Sequence, residues 1–341
     1  PEYITVGNNT YKWYGDGSIS VLGELSTNSG ITSEENSAIN GLQELKIKEI
    51  AKDTDMAFDN NVETDPNIAK VNGVKKIYLN NGTVYIIDAN DDLWAWGANN
   101  YNKLGQGNSY LVTEPTKILK GRTEGADGVK AKNVWEGPTN TFVLDTENRL
   151  WACGANADGV LGQGNNNTYY NFVQVEIDGL DLNSVEIEDI ALTYDTTMYS
   201  SAIIKCSDGR VYGCGLSHYG NFGIGTNVDY NKFIELSQYN EMWKNAKKII
   251  NQGIISYILT EDGELYGSGY NASGQLGLGH KNNINVLTKI TDNVKDVVVD
   301  NSNFIILKED GYLYTNDTSG NINQISGIQD INIKFTSGDM K

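Results

Sequence analysis

The chain reads as an all-β protein, a seven-bladed β-propeller of four-stranded antiparallel blades. Three observations predict it. A glycine-rich phrase is written four times at full length. Apolar hairpins precede the phrase at a constant distance. The two ends of the chain supply complementary parts of one further blade.

The phrase comes first, because a missed repeat misassigns a whole fold. "LWAWGANNYNKLGQG" ends at Gly107, "LWACGANADGVLGQG" at Gly164, "VYGCGLSHYGNFGIG" at Gly225 and "LYGSGYNASGQLGLG" at Gly279. Each places glycine at one position, eight residues on and ten residues on. The triplets are Gly97, Gly105, Gly107; Gly154, Gly162, Gly164; Gly215, Gly223, Gly225; and Gly269, Gly277, Gly279. Worn copies start at Tyr11, keeping Gly15 and Gly23, and at Glu309.

The segment ahead of the phrase reads as a strand, a turn and a returning strand. "SYILTEDGELYGSG" from Ser256 turns at Asp262-Gly263, "AIIKCSDGRVYGCG" at Asp208-Gly209 and "FIILKEDGYLY" at Asp310-Gly311. Asp-Gly accepts the positive φ that a tight two-residue hairpin demands. Further upstream lies a short apolar strand: "KKIYLNNG" at Lys75, "KKIINQG" at Lys247, "KDVVVDN" at Lys295. Downstream comes a fourth, such as "VLTKI" ending at Ile290. Four short strands repeating about every 50 residues give the period of a propeller blade. Such a sheet cannot bury both faces alone, so blades must pack face to face around an axis. Small residues (Gly213, Gly267) and large ones (Trp94, Trp151) are expected to fill the tapering space between them.

Closure follows from the ends. "DINIKFTSG" from Asp330 reads as a blade's first strand, and "YITVGNNTYKWYG" from Tyr3 as the second strand, a turn and the third. Joined in one blade, they remove the free sheet edges. The predicted blades, all in a single domain 1–341, are 3–45 with 330–338, a degenerate 46–73, then 74–132, 133–185, 186–246, 247–293 and 294–329. The degenerate stretch is short for four strands, so six blades with a long insertion is the alternative.

The pattern Asp-Gly-x-Val-Tyr-x-x-Gly-x-Asn-x-x-Gly-Gln-Leu-Gly-x-Gly resembles the repeat of the regulator-of-chromosome-condensation family, a seven-bladed β-propeller. It runs from about Tyr3 to Gly338, with a gap between about Ser26 and Val71. The resemblance implies guanine-nucleotide exchange, chromatin scaffolding or, in secreted bacterial forms, protein inhibition of β-lactamases. Chromatin binding needs basic tails that this chain lacks. Exchange on small GTPases belongs to eukaryotes, whereas scarce Arg and abundant Asn read as an AT-rich bacterial genome. The bacterial protein-binding role fits best.

Composition narrows the partners. Against 26 Lys and Arg stand 44 Asp and Glu, a net charge of −18. That disfavours nucleic acid and anionic lipid and steers basic partners inward. No window of about 18 apolar residues exists, so no membrane insertion is expected. No charged-then-apolar leader opens at Pro1, so any targeting signal is expected to have been removed or never present. The expected compartment is extracellular or the cell surface, with the cytoplasm as the alternative.

Candidate chemistry meets simpler readings. A phosphate-binding loop needs Gly-Lys-Ser/Thr leading into a helix, and here His280-Lys281-Asn282 or Asn follows without helical pattern. Cys153, Cys206 and Cys214 form no disulfide framework, and with only His218 and His280 a zinc site lacks ligands. Both histidines stand where other copies carry Ala, Asn or Ser, which argues against a triad. The acidic clusters Asp88–Asp92 and Asp53–Asp65 miss the calcium-loop pattern, with Phe58 and Thr64 at the sixth and twelfth positions of the second. No catalytic residue, metal or cofactor is expected.

Aromatic side chains on loops remain. Strand directions place the loop after strand one and the loop after strand three on one face, with the Asp-Gly turns on the other. The loop face carries Tyr101, Trp135, Tyr194, Asp195, Tyr199, His218, Tyr219 and Tyr270, with Tyr169 and Tyr170 on its rim. Tyr and Trp give large contact area at little rotamer entropy. The expected function is non-enzymatic binding of another protein through this face. A carbohydrate-binding or adhesion module that takes glycans is the alternative, ahead of an exchange factor or an enzyme.

Overall fold

The second strand of each predicted hairpin is apolar almost throughout, the pattern of a strand covered on both faces. In a computed structural model of the chain, TVYIID, NTFVLD and ISYILT are buried at every position. The structure describes residues 2–6, 9–13, 19–22, 67, 70–80, 82–119, 129–193, 199–300, 303–329 and 334–336. The degenerate blade expected at 46–73 lies almost wholly outside them, as do the Asp53–Asp65 cluster, Tyr194 and Asp195.

Among the described residues the strands form six four-stranded antiparallel sheets. Sheet II holds β4 (Val74–Asn80), β5 (Thr83–Asp88), β6 (Leu93–Gly97) and β7 (Val112–Lys117). Sheet III holds β8 (Ala131–Glu136), β9 (Asn140–Asp145), β10 (Leu150–Gly154) and β11 (Tyr169–Val175). Sheet IV holds β12 (Ile187–Leu192), β13 (Ser201–Cys206), β14 (Val211–Gly215) and β15 (Tyr230–Glu235). Sheet V holds β16 (Ala246–Asn251), β17 (Ile255–Thr260), β18 (Leu265–Gly269) and β19 (Ile284–Thr291). Sheet VI holds β20 (Val294–Asp300), β21 (Asn303–Lys308), β22 (Tyr312–Asn316) and β23 (Ile322–Gln329). Sheet I joins the ends: β24 (Lys334–Thr336) pairs with β1 (Glu2–Val6), followed by β2 (Asn9–Trp13) and β3 (Ile19–Leu22). Its register sets Tyr3 opposite Thr336 and Thr5 opposite Lys334. Both chain ends therefore share one sheet, which lies against β20 of sheet VI.

The core is a series of layers between neighbouring sheets rather than one central mass. Sheets II and III pack Tyr85, Leu104 and Phe172 with Trp151, and sheets III and IV pack Phe142 and Leu161 with Ile204 and Phe233. Sheets IV, V and VI continue the pattern. First strands of neighbouring sheets approach one another, β8 with β12 and β12 with β16. Each of β4, β8, β12, β16 and β20 slips register by one residue near its start, a bulge that re-aims the next side chain. The re-aimed residues link sheet to sheet. Lys76 Nζ donates to Lys132 O at 2.8 Å, Tyr78 Oη to Asn133 Oδ1 at 2.5 Å, Trp135 Nε1 to Asp189 Oδ1 at 3.0 Å, and Lys248 Nζ to Val297 O at 2.6 Å.

The repeated glycines make the remaining links. At the first glycine of each triplet φ is between 98° and 113°, and an added Cβ would stand 2.2–2.4 Å from a carbonyl oxygen of Gly82, Thr139, Ser200 or Ile254. The second lies against a side chain of the next sheet: Gly105 on Phe172, Gly162 on Phe233, Gly223 on Leu287, Gly277 on Phe304. The third donates its N–H across the same seam, Gly107 to Tyr170 O, Gly164 to Asn231 O, Gly225 to Asn285 O and Gly279 to Gly320 O, at 2.7–2.9 Å. The triplet is an inter-sheet fastening, not only a turn.

A further latch repeats one residue before the first glycine. Cys153 Sγ donates to Lys103 O at 3.1 Å, Cys214 Sγ to Val160 O at 3.0 Å, and Ser268 Oγ to Asn221 O at 2.9 Å. Cysteine and serine thus serve one role. Cys214→Ser is expected to change stability by less than about 1 kcal/mol, because the hydroxyl finds the same acceptor. Cys206 is buried and its thiol makes no hydrogen bond among the described residues. Cys206→Ser is therefore expected to cost roughly 1–3 kcal/mol for an unmatched hydroxyl. Urea unfolding of both variants checks the contrast.

The hairpin turns differ from the two-residue form. In sheet II Asp91 N donates to Asp88 O and Asp88 N to Asp92 O, so a type I turn is followed by a left-handed residue. Asp91 (φ 62°) and Asn148 (φ 60°) occupy the place that Gly209, Gly263 and Gly311 fill elsewhere. In these two sheets a carboxylate at the end of the second strand braces the turn. Asp88 Oδ1 accepts the N–H groups of Asn90 and Asp92 and its Oδ2 accepts Trp94 Nε1; Asp145 does the same for Glu147, Arg149 and Trp151. The acidic run Asp88–Asp92 is thus committed to the turn, with Asp91 paired to Lys75 and Asp92 to Lys117 and Lys130.

Candidate functional site

Antiparallel order sends the first-to-second and third-to-fourth connections to one end of the sheets and the Asp-led turns to the other. The third-to-fourth loops are rigid for a local reason. Asn99, Asn156 and Asn271 sit two residues after the first glycine, and each Oδ1 accepts the N–H five residues on, at 2.8–2.9 Å. Each Nδ2 reaches a carbonyl beyond the third glycine, at Asn108, Asn165 or His280. Several residues in this interval change from copy to copy, among them Tyr101 in sheet II, Asp158 in sheet III, Tyr219 in sheet IV and Ser273 in sheet V at one shared position.

Four of the predicted residues meet. Tyr219 packs edge-to-face with Tyr199 (ring centroids 6.3 Å apart) and with Tyr270 (5.3 Å), and His218 lies tilted on it at 4.4 Å. Tyr270 comes from sheet V and the other three from the loops of sheet IV, so the cluster bridges two sheets. Edge-to-face contact satisfies the ring quadrupoles and fixes their positions. His218 is exposed and the three tyrosines half-buried.

Two carboxylates border the rings. Asp229 Oδ1 accepts the Ser217 N–H at 2.6 Å and its Oδ2 stands 3.4 Å from His218 Nδ1. Asp158 reaches across from sheet III, where Oδ2 accepts the Ser200 N–H at 2.8 Å. Burial raises the Asp158 carboxyl above the usual aspartate range against the pull of that N–H; the Asp229 charge adds to the rise and His218 opposes it. Neither aspartate was selected from sequence. The signal for Asp158 was present, because it stands at the repeat position of Tyr101 and Tyr219.

The other predicted residues lie elsewhere. Trp135 is a correction: it is only 8% exposed, belongs to the layer between sheets III and IV, and gives its N–H to Asp189. It stands inside β8, paired with Phe142, rather than in the loop that follows the strand. Tyr169 is half-buried, packs on that same layer, and its Oη accepts from Asn165 Nδ2 at 2.9 Å. Tyr101 (45% exposed) and Tyr170 (54%) are open, and Tyr170 O receives the Gly107 N–H, which sets both at the seam of sheets II and III. Tyr110 and Leu111, on the same loop as Tyr101, are more exposed still and were missed. They precede a strand and carry no repeat signature.

Nucleophile chemistry finds little support. Burial pushes the thiols of Cys153 and Cys214 well up and that of Cys206 to about 12. Among the described residues no three His, Cys, Asp or Glu side chains gather as metal ligands do.

Comparison with known proteins agrees with this architecture. Residues 90–144 match the model of the regulator of chromosome condensation (RCC1) repeat. The secretion-regulating guanine nucleotide exchange factor of Bos taurus is 30% identical over 132 residues, 39% of this chain and 26% of that protein. The matched stretch thus spans about a quarter of that relative's length. Among solved structures, human WBSCR16 aligns with a TM-score of 0.57 at 18% identity, covering 75% of this chain and 68% of that one. Prp20p from Saccharomyces cerevisiae, described with its binding to Gsp1p and histones, aligns at 0.53 with 17% identity, covering 92% and 66%. At these identities the two structures speak for the fold.

Proposed function

We propose that this chain, an RCC1-type repeat propeller, is a non-enzymatic module that binds another protein through its loop face, centred on Tyr199, His218, Tyr219 and Tyr270. One observation carries the reading. On a frame whose glycines fasten sheets and whose asparagines brace the loops, the varying positions assemble touching rings at the surface. Rigid tyrosines in contact are what protein recognition sites use for area at low ordering cost. The description of Prp20p names two protein partners and supports the reading. A bacterial surface or secreted setting belongs to the proposal as well; its support is the Asn-rich, Arg-poor composition and the secreted forms of the resembled family.

A photo-crosslinking amino acid at Tyr219, compared with one at Glu261 on the opposite turn face, tests the face. Exposed to surface proteins of the parent cell, the first is expected to capture a protein and the second none. Capture from Glu261 alone, or glycan-array binding with no protein captured at Tyr219, would overturn the proposal.

A further inference from the structure

Several carboxylates on the turn face carry their own cations: Asp91 with Lys75, Asp92 with Lys117 and Lys130, Asp145 with Arg149, Asp208 with Arg210, Glu264 with Lys289. Asp317, in the third-to-fourth loop of sheet VI, accepts from Ser319 N, Asn321 N and Asn323 Nδ2, which holds its carboxyl down at about 2. Asp158 and Asp229 differ from both groups. Among the described residues no lysine or arginine pairs with either, and Asp158 Oδ1 accepts no hydrogen bond. Asp229 stands beside His218 of the ring cluster and Asp158 holds the N–H next to Tyr199, and the quadrupoles of such rings also attract cations.

We infer that the partner inserts a cationic side chain, lysine or arginine, against Tyr219 and Tyr270 with Asp158 and Asp229 as its counter-charges; this rests on the protein-binding reading above. The half-buried Asp158 supports it, since a carboxylate withdrawn from water gains more from an incoming cation than an exposed one. The net charge of −18 draws a basic segment toward the surface, and the site fixes where it docks. Arginine suits the site's chemistry better than lysine, because a planar guanidinium stacks on a ring while its edge donates to a carboxylate.

Fluorine NMR of the full chain carrying 3-fluorotyrosine reads this directly, with Tyr219→Phe and Tyr270→Phe assigning the signals. The probes are N-acetylarginine amide, N-acetyllysine amide and their neutral counterparts, the citrulline and norleucine amides. The charged probes are expected to shift both signals saturably and the neutral ones not at all. Asp229→Asn is the clean variant, because Asn283 already accepts the corresponding Asn271 N–H in sheet V. It is expected to weaken the charged probes about three- to thirtyfold with the thermal midpoint unchanged. Citrulline binding as well as arginine, an unaltered affinity in Asp229→Asn, or no shift with any probe would each overturn the inference. If that happened while crosslinks from Tyr219 persisted, protein binding would stand and only the cation would be wrong. Arginine binding without protein crosslinks would instead sink the protein-binding reading.

Discussion

Glu136→Ala is expected to destabilise the fold by about 3–5 kcal/mol, because it strands a buried lysine. Lys103 lies in the loop after β6 and Glu136 ends β8, so the pair crosses the seam of sheets II and III. Their side chains are 2% and 4% exposed, with Nζ 2.5 Å from Oε1. The same lysine's carbonyl oxygen accepts the Cys153 thiol and the Tyr85 hydroxyl, so the loop is bound here in several ways. Burial first, and then the Glu136 charge, raise both the Tyr85 phenol and the Cys153 thiol. A buried pair weighs desolvation against attraction, and replacing both members with apolar groups of similar size is often harmless. Lys103→Met with Glu136→Met is accordingly expected to recover most of the loss. Urea unfolding of the single and double variants decides it; a single variant within 1 kcal/mol of the parent would show the pair to be solvated.

Gly154→Ala comes second, with an expected cost of about 3 kcal/mol or more. Its φ of 112° lies where only glycine is comfortable, and the new methyl would stand 2.3 Å from Thr139 O and 2.7 Å from Asn140 Cα. Neither neighbour can yield, since Ala155 N donates to that same Thr139 oxygen and Asn140 pairs with Gly154 across the β9–β10 ladder. Gly179→Ala separates conformation from clash. Its φ is 79°, yet nothing lies within 4 Å of the added carbon. About 1 kcal/mol is expected there. Equal thermal shifts for the two variants would show that the carbonyl contact is unimportant.

Much of the fold was legible because each blade repeats its own instructions. The glycine spacing, the Asp-Gly hairpins and the split terminal sheet all follow from pattern at short range. What pattern could not show is what crosses between sheets. Gly105 lies on Phe172 and Gly162 on Phe233, contacts between residues more than sixty positions apart that no window reveals. Trp135 was misplaced because the end of a first strand cannot be read to one residue from pattern: β8 runs on to Glu136, so the ring falls in the strand and not in the loop after it. At the site, aromatic residues on variable loops were visible, and Tyr199, His218, Tyr219 and Tyr270 indeed meet. Asp158 went unselected although it shares the repeat position of Tyr101 and Tyr219, because the loops were read for aromatic side chains alone.

The fastening by glycine and Cys/Ser has an evolutionary consequence. Those ties stand at other positions than Tyr101 and Ser273, so exchange of these two side chains leaves them in place. Asp158 and Tyr219 serve twice: the first holds Ser200 of the next sheet and the second packs on Tyr270 of the next. A lineage carrying this frame can therefore vary Tyr101 and Ser273 while its stability drifts little, whereas a change at Asp158 or Tyr219 also removes a contact between sheets and calls for compensation elsewhere. Recognition and folding are inherited separately at the first two positions and together at the other two.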